Sequence, residues 1–337
     1  MRFCQLGSFP AATPAQDSAR MSVRLGIGFN LLWVALIAMT ASCRKTQDLG
    51  IPKAVAVRED GLLELKVASF NIRYEHEEDE PGHNWPQRIA KVVHIIRDLD
   101  PDVLGVQEAL HGPVADVWAS LPGYDFYGTG REDGKREGEY SGIFFLRSRF
   151  ELDASDCGTF WLSGTPEVPG SMTWGNTLPR IATWVHLIDR TTGRSFYFFD
   201  SHWDHRSQDS REQAAMLIAR RIDQRKSPND PVILVGDFNV IENNPAVGYL
   251  RGENVTLDGE PKNWTNGLLD TYEALHPHDT NRRTFHGWDT GRSGNFKLDH
   301  ILVTPNAEVL ESGIYFEDPP FASDHYPVSA RVSFPAP

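Results

Sequence analysis

Asp237 and Asn239 stand two residues apart, directly after the run Pro231-Val232-Ile233-Leu234-Val235-Gly236. If the run is a strand, its pleat puts this carboxylate and this amide on one side, because successive side chains alternate. Asp, Asn and Gly also favour turns, so one such pair carries little weight alone. The arrangement recurs, however. Asn71, Glu108, His202, Asp299 and the pair Asp324-His325 each sit in or beside another short apolar run. Carboxylates with an amide and no cysteine form a hard ligand set, suited to Mg²⁺ with Mn²⁺ as the alternative. The two histidines stand beside acids, which can keep an imidazole protonated and able to neutralise a phosphate oxygen.

Buried strands aim the first residues after them into a crevice, so the elements matter as much as the residues. The run at 231–235 reads as a strand buried on both faces. Residues 63–73 alternate as a strand that ends near Asn71. Asn84-Trp85-Pro86 opens a helix, with Pro in its first turn, whose apolar stripe is Ile89, Val92, Val93 and Ile96. Pro101 stops it, and a strand over 102–108 follows. Strand, helix and strand in that order form a βαβ unit that brings Glu108 beside Asn71. A weak helix is expected over 111–121, and strands over 139–146, 179–187, 195–199, 296–303 and 326–332. Helices are expected over about 214–222 and 245–250, with loops over 128–138, 159–175 and most of 242–296. Asp299 falls inside a strand and needs a partner there, since an unpaired buried charge is costly.

The blocks SFNIR, GVQEAL, GEYSGIFFL, LPRIATW, DSHWDH, ILVGDFN, KLDHILV and SDHYPVSARV, in that order, resemble the endonuclease/exonuclease/phosphatase superfamily, the deoxyribonuclease-I-like fold. The resemblance covers about 63–334 and is nearest to exported bacterial members. It implies an α/β four-layer sandwich, two packed mixed β-sheets flanked by helices, with the active-site loops at one end. It also implies roles. Glu108 is the main metal ligand, with Asn71 beside it and Asp324 near. Asp237 orients the attacking water and Asn239 binds the phosphoryl oxygen. His325 pairs with Asp299, His202 pairs with Glu139, and Arg180 contacts the substrate phosphate.

The chain has 337 residues, of which 40% are hydrophobic and 23% charged, and a formal net charge of −13. That composition supports a large core, and that charge disfavours tight non-specific binding to nucleic acid or anionic membranes. Residues 1–42 read as a leader, an export signal over 21–42 preceded by a possible upstream extension, since Met21 is the more plausible start. Leu25–Ser42 is uncharged, follows Arg20 and Arg24, and ends in Thr40-Ala41-Ser42-Cys43, which resembles a lipobox with Thr40 where a larger aliphatic is usual. A lipid on Cys43 would anchor the body to the cell envelope; secretion or an uncleaved N-terminal span are the alternatives. Removing 1–42 takes away three basic residues and one acidic, leaving −15. It also leaves Cys157 as the one cysteine of the body, which excludes a zinc site of the Cys type. Residues 43–62 read as a linker and 63–334 as the catalytic domain.

The expected activity is Mg-assisted water attack on a phosphoester, with a phosphodiester as the first substrate class: nucleic acid, lipid headgroup or small molecule. The alternative is a non-catalytic surface lipoprotein that binds a phosphate ligand on the same fold. No obligate protein partner is evident.

Overall fold

The computed structural model describes residues 61–76, 80, 82–289 and 294–336. The leader over 1–42 and all of the linker but its last two residues lie outside the described residues. In chain order, β1 (Leu63–Asn71) passes through α1 (Trp85–Leu99) to β2 (Val103–Ala109), followed by α2 (His111–Ser120), β3 (Tyr124–Tyr127) and β4 (Tyr140–Leu146). Then come β5 (Phe150–Trp161), β6 (Ile181–Asp189), β7 (Ser195–His202), α3 (Gln208–Asp223), β8 (Val232–Asp237) and α4 (Pro245–Leu250). The rest comprises β9 (Val255–Leu257), β10 (Glu260–Lys262), β11 (Leu269–Asp270), α5 (Thr271–Leu275), β12 (Asp299–Val303), β13 (Glu308–Ile314) and β14 (Val328–Phe334).

Two six-stranded mixed sheets result, ordered β13-β14-β1-β2-β4-β3 and β11-β12-β8-β7-β6-β5. The alternation along β7 and β8 shows why they pack face to face. Phe196, Phe198, Ile233 and Val235 join Leu65, Val67, Val103 and Ile143 of the first sheet in a core between the sheets. Their neighbours Tyr197, Phe199, Val232 and Leu234 turn the other way, under α3 and α4. The outer face of the first sheet is covered by the Val92, Val93 and Ile96 stripe of α1. Each such side chain, fully buried, contributes roughly 1.5–3 kcal/mol. This is the expected four-layer α/β sandwich, with β8 buried along its whole length.

Local chemistry fixes the ends of the strands. β1 and β2 run parallel with Asn71 opposite Gln107, as a βαβ unit requires. α1 begins after Asn84 with Pro86 in its first turn, and closes on Asp100 in the left-handed region, just before Pro101. Arg88, fully buried on α1, donates from Nη1 to the carbonyls of Ile72 (2.7 Å) and Ala322 (2.8 Å), and from Nη2 to that of Arg73 (3.0 Å). It therefore ties the exit of β1 to the loop that carries Asp324 and His325. Ser323 Oγ adds a bond to the Asn71 carbonyl at 2.7 Å. Gly236 has φ +147°, and a Cβ there would lie 1.9 Å from the Ser201 carbonyl oxygen, so only glycine lets β8 close on β7 before Asp237.

Some expectations are corrected. β5 occupies part of the span expected as loop; its pattern is broken by polar residues because it is a sheet edge with a register shift between Leu152 and Cys157. β3, β9 to β11, α5 and β13 are also additional, most of them short or half-exposed. Asp299 opens its strand instead of lying inside it. Among the described residues no helix is long and apolar enough to cross a membrane.

Candidate active site

Asp237 is where the two sheets meet. β7 runs parallel to β8 with His202 opposite Asp237, and β12 runs antiparallel with Asp299 opposite it. From the facing sheet Asn71 Nδ2 donates to Asp237 Oδ2 at 3.0 Å and to Glu108 Oε1 at 3.0 Å. Asn239 N donates to Asp237 Oδ1 at 2.9 Å. Strand alternation is not what brings Asn239 here, because the strand ends at Asp237. Asn239 instead takes φ +54°, a left-handed conformation Asn tolerates. Its Nδ2 then donates to His202 Nε2 and to the Trp203 carbonyl, both at 3.0 Å. Glu108 and Arg73 also have positive φ, both +59°. Such conformations cost on the order of 1–3 kcal/mol each and cluster where a site must be preorganised.

The two histidines differ. His325 Nδ1 is 2.9 Å from Asp299 Oδ2, and its Nε2 is 3.6 Å from Asp237 Oδ2. Burial alone would lower its pKa, but Asp299 and Asp237 outweigh burial and push it up to about 10. His202 goes the other way: burial, then the charges of Arg180, Arg131 and His325, hold it well below the usual histidine range. A protonated His202 on the model of His325 is therefore corrected to a neutral ring, whose Nε2 accepts from Asn239. Its approach to Glu139 is 3.7 Å, too long for a hydrogen bond, because Arg131 Nη1 takes Glu139 Oε2 at 2.6 Å. Burial pushes Glu139 up to about 6, with Arg131 opposing and Glu108 adding to the rise. Burial likewise raises Asp237, to about 7, against His325 and with Asp299 and Glu108.

An NMR pH titration of the metal-free protein is expected to find His325 charged through neutrality and titrating near 10, and His202 neutral there. A His325 that titrates at or below the free value would contradict the pairing. The raised group stabilises the fold fully below its unfolded pKa of about 6.5, and that contribution is lost as pH rises through the folded value. The depressed His202 acts in the opposite sense and costs stability as pH falls below its unfolded value.

Glu108 and Asp324 line the cleft, with Asn71 buried behind them. Arg73 puts Nη1 3.6 Å from Glu108 Oε2 and Nε 3.7 Å from Asp324 Oδ2, so a cationic side chain already stands between these carboxylates. Glu108 Oε2 also accepts from Tyr74 N at 3.1 Å. Burial would raise Glu108, but the Asn71 amide, His325, the Tyr74 N–H and Arg73 together hold it below the usual range. An ionised carboxylate and a second carboxylate suit a hard divalent cation; Asn71 turns its Nδ2 to Glu108 and accepts from Arg73 N on Oδ1 at 3.0 Å, so it would offer an ion its oxygen only with the amide turned over. Glu108, His202 and Asp237 also bring ligand atoms within 4.8 Å of one another, as do Asp237, Asp299 and His325.

All ten residues singled out in the sequence converge here. Eight line one cleft of about 580 Å³, and Asn71 and Asp299 stand directly behind it. The cleft also contains residues the sequence reading passed over: Arg73, Arg131, His205 and Arg206, with Leu178 and Phe285 as apolar members. Arg73 and His205 fall within the quoted blocks, but Arg131 comes from a Gly- and charge-rich loop in which nothing marked it.

Residues 68–325 match the model of the Endonuclease/Exonuclease/phosphatase family. Among proteins of curated function none matches the chain. The structure is similar to that of an endonuclease/exonuclease/phosphatase from Bacteroides vulgatus, with 33% identity, TM-score 0.71, and coverage of 80% of this chain and 98% of that one. A family protein from Bacteroides thetaiotaomicron gives 31%, 0.70, 81% and 98% in the same order. A mannosyl-6-phosphatase from Bacteroides thetaiotaomicron gives 32%, 0.68, 80% and 99%. With its sandwich, its convergent cleft and a match over most of its length, the chain belongs to the Endonuclease/Exonuclease/phosphatase family.

Proposed function

We propose that the protein is a divalent-metal-dependent phosphoester hydrolase in which Asp237 directs a water at phosphorus. The family is one of phosphoesterases. The observation that carries the reading is the setting of Asp237: a carboxylate 2% exposed, raised to about 7, with donors on both oxygens and a protonated imidazole 3.6 Å away. A base is most effective when its pKa lies near the working pH.

Glu108, Asn71 and Asp324 would hold Mg²⁺ or Mn²⁺, which when bound supplies positive charge at the phosphoryl oxygens and acidifies water. Asp237 aligns the water and accepts its proton. His325, kept cationic by Asp299, stabilises negative charge that grows on the phosphoryl group. Asn239 Nδ2 is a donor to which a phosphoryl oxygen can bind in place of His202 Nε2. A phosphodiester is the first substrate class. A second reading, a sugar phosphomonoester, is favoured by the likeness to a mannosyl-6-phosphatase and by the surplus of guanidinium groups in the cleft. Turnover of matched diester and monoester panels by the full chain tests both. Binding without turnover of either would return the non-catalytic alternative to first place.

The proposal extends to location: export, with a lipid on Cys43 that fastens the enzyme to the bacterial envelope. The uncharged run that ends in small residues before Cys43 motivates it, and more than one acyl chain suffices for stable anchoring. Cys43→Ser is expected to abolish labelling by radioactive palmitate and to leave the precursor uncleaved. Equal labelling of both proteins would remove the idea.

A further inference from the structure

We propose that His300 is a positioning residue: one buried imidazole holds both chain neighbours of Asn239, and so keeps the Asn239 amide where a phosphoryl oxygen binds. This rests on the hydrolase reading above and deepens it. Asn239 has φ +54°, in the left-handed region, and such a conformation persists only where its surroundings over-determine it. Its own bonds, from N to Asp237 and from Nδ2 to His202 and the Trp203 carbonyl, supply part of that hold. The rest comes from the residues on either side.

Phe238 is fully buried, and its ring lies between those of Trp203 (centroids 4.2 Å apart, planes 9° apart) and His300 (5.1 Å, 12°). Phe238 N also donates to the Leu298 carbonyl at 2.9 Å. On the other side of Asn239, the Val240 carbonyl accepts from His300 Nε2 at 2.9 Å. His300 is itself fixed in β12, opposite Gly236 of β8, and has no exposed surface. A single ring thus stacks on the residue before Asn239 and bonds to the residue after it.

The ring's tautomer is fixed from behind. A carbonyl oxygen can only accept, so the proton sits on Nε2. Burial, then the charge of Lys297, lowers the His300 pKa and leaves the ring neutral, with Nδ1 bare. Lys297 Nζ can only donate, and it stands 2.8 Å from that nitrogen and 2.9 Å from Asp270 Oδ2. Asp270 Oδ2 is 3.3 Å from Nδ1 as well, so the ammonium bridges the two. Asp270 Oδ1 accepts from the N–H groups of Tyr272 (2.9 Å) and Glu273 (3.1 Å) at the start of α5. Lys297 and Asp270 are both buried. A buried ion pair gains little stability over apolar residues of similar volume. What this pair supplies is direction: with a cation on Nδ1, the one N–H of the ring must point at Val240.

The test uses the full chain with saturating Mg²⁺ and two probes, bis(4-nitrophenyl) phosphate and 4-nitrophenyl phosphate. His300→Phe keeps a ring against Phe238 but has no donor for Val240, whereas His300→Gln keeps a donor. His300→Phe is expected to lower kcat/KM about 10-fold or more, the scale of a displaced positioning group, and His300→Gln should restore part of the loss. The half-saturating Mg²⁺ concentration should stay the same, because Glu108 and Asp324 belong to the facing sheet and its loops. In an Asn239→Ala background His300→Phe should cost no further activity, since nothing is left to position. Losses that multiply in the double variant, or a lower melting temperature with kcat/KM unchanged, would overturn the proposal. The Asn239 side-chain amide protons should also exchange faster with solvent in His300→Phe, and unchanged exchange would equally overturn it. Should His300→Phe not fold, ¹⁵N shifts of the wild-type histidines decide: His300 protonated on Nε2 alone at neutrality is expected, and a proton on Nδ1 would contradict it. Faster Asn239 exchange with no hydrolysis of either probe by the wild type would instead refute the hydrolase reading and leave the positioning standing.

Discussion

Asp237→Asn is expected to lower kcat by about 10²–10⁴-fold, the usual contribution of a positioned general base. The replacement keeps shape and one acceptor oxygen but removes the charge and the basicity. Substrate affinity should survive, because the groups that meet the phosphate, Asn239 and His325, are retained. The fold should survive as well. The Asp237 oxygens accept from Asn71 Nδ2 and Asn239 N, so the new amide loses one of these bonds, worth about 1 kcal/mol. It also relieves a carboxylate crowded by Asp299 and Glu108, whose charges help to raise Asp237. The amide also takes from the His325 imidazolium one of the two carboxylates that hold it charged, while Asp299 keeps its hydrogen bond to it; with relief on one side and these losses on the other, the melting temperature should fall only slightly. A matching fall in stability and activity would reassign Asp237 to a structural role.

Glu108→Gln should act on the metal. The carboxylate is ionised, at positive φ, and shared between Asn71 and the backbone N–H of Tyr74. An amide in its place gives a weaker oxygen ligand with no charge. Calorimetric Mg²⁺ affinity is expected to fall by no less than the roughly 10–100-fold seen when a ligand merely loses its supporting partner. Excess metal should partly restore turnover, which it should not do for Asp237→Asn. Unchanged Mg²⁺ affinity in Glu108→Gln would move the metal away from this carboxylate.

Much of this was legible in the chain, for a physical reason. Buried strands such as β8 and β2 are written as short apolar runs, and the polar residue that ends each one is conspicuous there. The site residues at strand ends are therefore readable by type and position. Residues that act through packing are not. Arg131 reaches the cleft from a loop of glycines and charges, and only the fold reveals that it takes Glu139 from His202. The protonation of His202 was misread for the same reason. A neighbouring acid in sequence suggests an imidazolium, while burial among Arg180 and Arg131 makes a neutral ring. β5 and β13 escaped because edge strands expose one side and lose the apolar signature.

The central claim, that this cleft hydrolyses phosphoesters with a divalent ion held by Glu108, Asn71 and Asp324, is tested most directly by phosphate release from the EDTA-stripped wild-type chain during Mg²⁺ add-back. Turnover should vanish on stripping and return saturably with Mg²⁺, Mn²⁺ serving as a substitute. Hydrolysis that continues undiminished in EDTA would contradict the account.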